Sequence, residues 1–423
     1  MNVHVPERLR AGWEARRGGR TIVVGWLVSR VVMLTILITV ERFIVGDVLY
    51  YRRKISTLVD VGLSGTLNEY PTPVPWLLWI PYGLTGGTRA GYLIAFLMAM
   101  LLLDALFTRA VWRSAGRRHT VAVDFWLVFV FLIGPLCFVR FDILPAVLAG
   151  GAMLAARTRP WVTGALTGLG AAIKLWPALL IAAFLAHRPD RKAAGLAFIG
   201  VGFGLALLSL LLGGRSRLFS PLTWQSDRGL QIESVWASPV MIARALDPTG
   251  WVVKTSPYQA YEVFGPGVST ALVASTVATV VGLAVIALLS GRAFATREPS
   301  PVAIGLLLLA TVAIMTVTNK TLSPQYVLWL GGPMAALLLL RGGAGPDAAV
   351  ISRLAWQLVA LALLTQLVYP VFYRGLLGEG GDAMIVVSTI MTTVRNLALV
   401  AFTVEVCGHT WRTLGSRQFD PTR

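Results

Sequence analysis

Apolar runs of about 20 residues recur along the chain, separated by short polar connections, and that is the length of helix that crosses a hydrocarbon core. The runs predict membrane helices at 21–45, 88–110, 121–138, 142–157, 193–213, 267–290, 301–318, 323–340, 352–373 and 384–406. Residues 160–187 form one more apolar stretch, enough for one long span but short for two full ones. Cations flank both of its ends, Arg157 and Arg159 before it and Arg188 and Arg191 after it, so both ends read as facing the same side. Lys174-Leu175-Trp176-Pro177 sits in its middle, which predicts two short helices that rise and return with Lys174 near the turn. Interrupted helices are tolerated in a membrane only where they are buried in protein or line a cavity. The pattern therefore predicts an all-α polytopic membrane protein of about twelve transmembrane helices, including this short broken pair.

Two long polar connections stand out, 46–87 and 214–266. In the first, Pro71, Pro73, Pro75 and Pro81 break any spanning helix, and the aromatic run Trp76 to Tyr82 is expected to lie at the membrane interface. Cations cluster in the opposite set of connections: Arg8, Arg10, Arg16, Arg17 and Arg20; Arg109, Arg113, Arg117 and Arg118; Arg188, Arg191 and Lys192. By the positive-inside rule this places both termini in the cytoplasm and the two long connections outside. The division is a basic N-terminus at 1–20, one transmembrane domain at 21–406 and a C-terminal tail at 407–423. The first apolar segment is too long for a cleavable signal and no small-residue cleavage site follows it.

Composition agrees: the chain is 56% hydrophobic and 13% charged, with mean hydropathy +0.71. The net charge of +17 is what positive-inside topology produces, and no basic face interleaved with aromatics suggests nucleic acid as a partner. Cys137 and Cys407 fall on opposite predicted membrane sides and cannot pair. His4, His119, His187 and His409 all fall in predicted cytoplasmic segments, so a histidine-based metal site on the outer side is not expected; a divalent cation at a bound phosphate is left open.

Chemistry points to the outer side. Asp47 follows the first apolar run directly, in Gly46-Asp47-Val48-Leu49-Tyr50-Tyr51, in a chain with only 20 Asp and Glu. A carboxylate fixed at a membrane surface is a candidate general base for a substrate dissolved in the bilayer; the bland alternative is a helix cap. Four further elements carry polar groups on that side: Glu69 and Tyr70; Lys174; Gln225, Arg228, Gln231 and Glu233; and Lys320, Gln325 and Tyr326. Tyr50 and Tyr51 complete the candidate binding set. Each has a structural alternative. Lys174 could be a buried ion pair, Arg228 and Glu233 could brace their loop by pairing with each other, Glu69 could be a solvated loop charge, and Lys320 could snorkel. Within the membrane, Arg30 and Asp104 lie at comparable depth and could neutralise each other, whereas Arg395 has no obvious carboxylate partner.

One base with several cations fits glycosyl transfer from a lipid-phosphate sugar. A leaving phosphate needs cations, which Lys174, Arg228 and Lys320 could supply, and an acceptor hydroxyl needs one base. A single displacement assisted by one base predicts inversion at the anomeric carbon. The rival class is a lipid or solute transporter or flippase, which the broken helices and the intramembrane Arg30 and Arg395 would suit. The lack of internal repeats and the one-sided crowding of polar motifs argue against it.

The chain resembles the GT-C superfamily of polyprenyl-phosphate-sugar-dependent membrane glycosyltransferases, and within it the actinobacterial α-mannosyltransferases of the phosphatidylinositol-mannoside type. The likeness rests on Gly46-Asp47 with Tyr50, Glu69-Tyr70-Pro71, Ala172-Ile173-Lys174-Leu175-Trp176-Pro177, Arg228-Gly229 with Glu233-Ser234, and Ser323-Pro324-Gln325-Tyr326 with Trp329. It implies a polyprenyl-phosphate sugar donor, a glycolipid or lipoglycan acceptor, Asp47 as catalytic base and a periplasmic active site in the plasma membrane of an actinobacterium-like bacterium. Mannose is the sugar it favours; arabinofuranosyl transfer is the alternative. The 225–234 segment and the absence of histidine from the outer loops depart from the phosphatidylinositol-mannoside pattern.

Overall fold

The computed structural model describes residues 18–116, 120–186, 191–296, 298–341 and 346–415. The predicted readings on His4, His119, His187, the N-terminal arginines before Arg20, Arg117, Arg118, Arg188 and the end of the C-terminal tail lie outside these residues.

The chain folds as an all-helical bundle with one small hairpin. In chain order the principal helices are α1 Gly19–Thr39, α2 Gly46–Ser56, α3 Pro73–Leu84, α4 Arg89–Ala115, α5 Val121–Ile133, α6 Ile143–Ala155, α7 Pro160–Ile173, α8 Ile181–Ala186, α9 Arg191–Asp227, α10 Ser238–Leu246, α11 Val268–Ala295, α12 Pro301–Thr318, α13 Leu328–Leu339, α14 Pro346–Gln366 and α15 Asp382–Gly415. Eight helical segments among the described residues are long and apolar enough to cross a membrane. The remaining predicted spans are present as shorter helices: α6, α7, α8 with the 3-10 turn Trp176–Leu180 before it, and α13 behind the turn Pro324–Val327.

Several boundaries differ from the sequence pattern, each for a local reason. The first span ends at Thr39 instead of residue 45, because Glu41 folds inward and accepts from Gln366 Nε2 at 2.8 Å. Arg42–Val45 then forms a 3-10 turn, and Asp47 opens a separate helix, α2. The 46–87 connection is therefore largely helical. Pro73 begins α3, where a missing N–H is harmless, and Pro81 is carried inside it; α3 has 12 residues and leaves Trp79 and Ile80 exposed, as an interfacial helix would.

The predicted break in 160–187 falls at Lys174, whose backbone is extended (φ −140°, ψ 141°). Pro177 accounts for it: its ring would clash with the Ile173 carbonyl if the helix continued. The second long connection does not begin as a loop at residue 214. Gly214 adopts φ +74°, a left-handed conformation that glycine tolerates, and α9 kinks there and runs on to Asp227. Beyond it lie α10 and the antiparallel hairpin β1 Val252–Thr255 and β2 Tyr261–Phe264, with Val253 opposite Val263 and Lys254 opposite Glu262.

The core is built on α5, α6, α12 and α13, most of whose side chains are buried. Helices α6 and α13 pack backbone to backbone: a Cβ at Gly332 would strike the Ala146 carbonyl, and one at Gly150 would meet Gly332. Helices α1, α9 and α11 lie at the periphery and expose apolar rows such as Val23, Val28 and Val31, Leu196, Ile199 and Phe203, or Val273, Val277 and Val280. Between helices, Arg30 meets Asp104 in a fully buried two-pronged pair, Nε–Oδ2 2.8 Å and Nη2–Oδ1 3.0 Å, with Trp26 and Trp126 donating to the same carboxylate. The predicted mutual neutralisation of these two charges is what the structure contains.

Candidate active site

Three short connections meet at the end of the bundle that carries 46–87 and 214–266. The first is α2 with the 67–72 turn. The second is the link Val139–Asp142 between α5 and α6. The third is the break at Lys174, packed against Tyr326 and Trp329.

Asp47 lies in the first turn of α2. Its Oδ2 stands 2.7 Å from Arg140 Nε. The N–H does not point along that line, so the contact is an ion pair and not a hydrogen bond. Asp47 remains 45% exposed while the guanidinium is 9% exposed, so the acid reaches out from a buried cation. Arg140 is held by the Val139 and Ile44 carbonyls, at 3.1 and 3.3 Å. Burial alone would lower the Arg140 guanidinium; the charges of Asp47 and the nearby phenols of Tyr369, Tyr51 and Tyr70 raise it above its ordinary value.

Around this pair is an aromatic shell. Tyr51, buried on the inner face of α2, meets Phe141 at 5.7 Å and Tyr70 at 6.3 Å; Tyr70 meets Phe141 at 4.9 Å. Tyr50 points the other way and donates to Glu69 Oε1 at 2.8 Å. Burial raises Glu69 above the usual carboxylate range, offset in part by backbone and Tyr50 hydrogen bonds. On the far side of Phe141, Lys174 Nζ sits 2.5 Å from the buried Asp142 Oδ1, which also accepts from Trp329 Nε1 at 2.9 Å. The ammonium lies over Trp329 and Tyr326, 4.8 and 4.9 Å from their centroids, and these two rings stack at 4.0 Å. Lys174 thus has a carboxylate partner inside an aromatic box.

The remaining candidates lie at the C-terminal end of α9, in the segment that follows it and in the connection between α12 and α13. Gln225 bonds Thr321 and Asn319; Gln231 bonds Ser323; Lys320 donates to the Ser226 carbonyl at 2.7 Å. Together they dock 225–231 against 319–323, with Arg228 beside Lys320. Burial lowers the Lys320 ammonium, and the charge of Arg228 adds to that against Glu262 and Asp227. Arg228 Nε has no hydrogen-bond partner among the described residues. Gln325 lies in the 3-10 turn at 324–327.

Glu233 faces Arg395, which answers the unpaired arginine and displaces the Arg228–Glu233 brace. The carboxylate is 3.9 Å from Arg395 Nη2, which donates to the Glu233 carbonyl at 2.9 Å, while Asn396 holds the Ser234 carbonyl and Ser238. Burial pushes Glu233 up to about 7, opposed by Arg395, a Tyr373 hydrogen bond and Arg140.

The structure therefore gathers Asp47, Tyr51, Tyr70, Lys174 and Tyr326 around Val139–Asp142, with Tyr50 and Glu69 adjoining, and gathers Gln225, Arg228, Gln231 and Lys320 in a second group. Sequence reasoning passed over Arg140, Asp142, Tyr369 and Tyr373. For the first two a signal existed: two opposite charges, two residues apart, in the very short link between apolar segments on the same side as Asp47. Among the described residues, no three of His, Cys, Asp and Glu converge as metal ligands do.

An all-helical polytopic membrane protein with an exposed acid, an aromatic shell and a separate cation pair at one end is the class these features define. The profile of glycosyltransferase family 87 matches residues 70–259, a stretch that includes Tyr70, Arg140, Asp142, Lys174, Gln225, Arg228, Gln231 and Glu233. This match supports a membrane glycosyltransferase. No curated protein and no solved structure matches the chain.

Proposed function

We propose that the protein transfers a sugar, mannose in the first instance, from a polyprenyl-phosphate donor to a lipid-linked or envelope glycan on the outer face of the plasma membrane, with inversion. The observation that carries this reading is Asp47, a half-exposed carboxylate in the first turn of α2, fixed against the buried Arg140. Asp47 takes the proton from the acceptor hydroxyl as its oxygen attacks the anomeric carbon. The bond from that carbon to the phosphate oxygen breaks, and the departing polyprenyl phosphate is met by Arg228 and Lys320. Charge-assisted hydrogen bonds of this kind stabilise such a leaving group by roughly 1.5–3 kcal/mol each. Lys174 acts through Asp142 and Trp329, holding the floor of the site. Both termini are cytoplasmic in this arrangement.

The test is purified protein in lipid bilayers offered a panel of polyprenyl-phosphate sugars, mannose and arabinofuranose among them, with release of polyprenyl phosphate measured. Release with one sugar in the presence of a glycolipid acceptor supports the reading. Release with none of them, alongside passage of the lipid across the bilayer, replaces it with a flippase.

A further inference from the structure

A second feature of the same end of the bundle lies apart from Asp47. A cleft of about 530 Å³ opens between the 64–68 turn, the second half of α9 and the 256–260 turn of the hairpin. That size falls in the usual range for small-ligand sites, about 300–1,000 Å³. Its walls include Ser64, Asn68, Arg215, Trp224, Asp227 and Tyr258. Trp224 and Tyr258 meet edge to face with centroids 5.2 Å apart. The Trp224 Nε1 is buried and has no partner among the described residues. Behind this wall Arg217, 1% exposed, donates to the Leu67 carbonyl, Asn68 Oδ1 and Ser220. Because Asn68 Oδ1 is taken by Arg217, its amide Nδ2 is turned to donate elsewhere.

A polyhydroxylated ring needs an apolar face to cover its C–H groups and a rim with both donors and acceptors. The paired aromatics supply the first. Arg215 and Asn68 can donate, and Asp227 and Ser64 can accept. The segments that wall the cleft lead into both groups of the proposed reaction. On one side, Asn68 precedes Glu69, which Tyr50 ties to the helix bearing Asp47. On the other, Asp227 precedes Arg228, and Lys320 is bonded to the neighbouring Ser226 carbonyl. We infer that this cleft is the saccharide subsite for the acceptor, seating a sugar ring whose hydroxyl is presented toward Asp47. The inference rests on the proposed role of Asp47 for its direction, but not for its ligand class.

The experiment uses the full chain in nanodiscs with photoreactive alkyl α-mannoside, α-glucoside and α-arabinofuranoside probes, and crosslinks mapped by mass spectrometry. Labelling by at least one probe is expected within 62–70 or 215–227, competed by the unlabelled glycoside. It should fall about tenfold in Asn68→Ala and in Trp224→Ala, as loss of one good contact predicts, and persist in Trp224→Phe, which keeps the ring and controls for folding. In sugar transfer, Asn68→Ala should raise the acceptor KM about tenfold and leave the donor KM unchanged. Labelling outside those segments by all three probes, or labelling undiminished by Asn68→Ala, overturns the subsite even if transfer proceeds. Labelling as expected in a protein that transfers no sugar upholds the saccharide site and removes the transferase reading instead.

Discussion

Lys174 and Asp142 form a 2.5 Å ion pair inside an aromatic box, with Asp142 98% withdrawn from solvent (2% exposed) and shared with Trp329. This relationship decides how the cations divide their work. A lysine already neutralised by a buried carboxylate is poorly placed to meet a phosphate, whereas Lys320, beside Arg228, feels the charges of Glu262 and Asp227 but forms no ion pair with either among the described residues.

Lys174→Met is expected to destabilise the protein, because it strands the Asp142 charge; removing one partner of a buried pair costs about 3–5 kcal/mol. Donor affinity in the surviving folded fraction should change little. Lys320→Met should do the reverse, leaving the melting temperature in place while the donor's apparent dissociation constant rises by roughly one to two decades. Thermal melting in detergent and donor titration on both variants check this, and a donor defect confined to Lys174→Met would exchange the two roles.

Arg30 and Asp104 carry fold and not chemistry. Arg30→Met or Asp104→Leu alone leaves a buried charge without its partner and should cost about 3–5 kcal/mol, while the double variant should recover much of it. Recovery of melting temperature in the double variant is the readout. A double variant as unstable as either single one would mean that the Trp26 and Trp126 hydrogen bonds to Asp104 matter more than the charge pair.

Glu233 gives the protein a pH signature. Burial raises its carboxyl from 4.5 to about 7 in the folded state. A raised acid binds its proton more tightly folded than unfolded, so its contribution to stability is fully present below about 4.5 and is lost as pH rises through about 7. The melting temperature of the parent should therefore fall, relative to Glu233→Gln, as pH rises from about 4.5 to about 7, and the two curves should run parallel above that. Curves parallel over that range too would show that Arg395 keeps Glu233 ionised throughout.

Sidedness is open to direct test. With Cys137 and Cys407 replaced, cysteines at the exposed Ser64 and Thr255 should react with a membrane-impermeant reagent applied to intact cells. Protection of both, with reaction only after permeabilisation, would put the candidate site in the cytoplasm.

Much of this was legible in the residues because bilayer length and loop charge are strong one-dimensional signals. The apolar runs become helices, the Lys174 break falls where Pro177 forces it, and Arg30 finds Asp104. Helix ends were less legible, since the turn after Thr39 depends on Glu41 reaching Gln366, 325 residues away. The same limit hid the partners of Arg395 and Lys174. Glu233 and Asp142 are brought to them by tertiary packing, and no spacing along the chain encodes that. The helical half of α9 beyond Gly214 was missed because its serines, arginines and threonine read as loop, although Gly214 itself marked the bend.

The proposed reaction depends on Asp47 as its base. General-base removal lowers a rate by about 10² to 10⁴, and asparagine preserves the size and one oxygen of the side chain beside Arg140. The decisive measurement is polyprenyl-phosphate release by purified Asp47→Asn against the parent, at saturating donor, with melting temperature and donor binding recorded on the same preparations. Turnover reduced at least about a hundredfold, with melting and donor binding close to the parent, is the expected result. Turnover at the parent rate would leave Asp47 as a structural partner of Arg140 and remove the base from the proposed reaction.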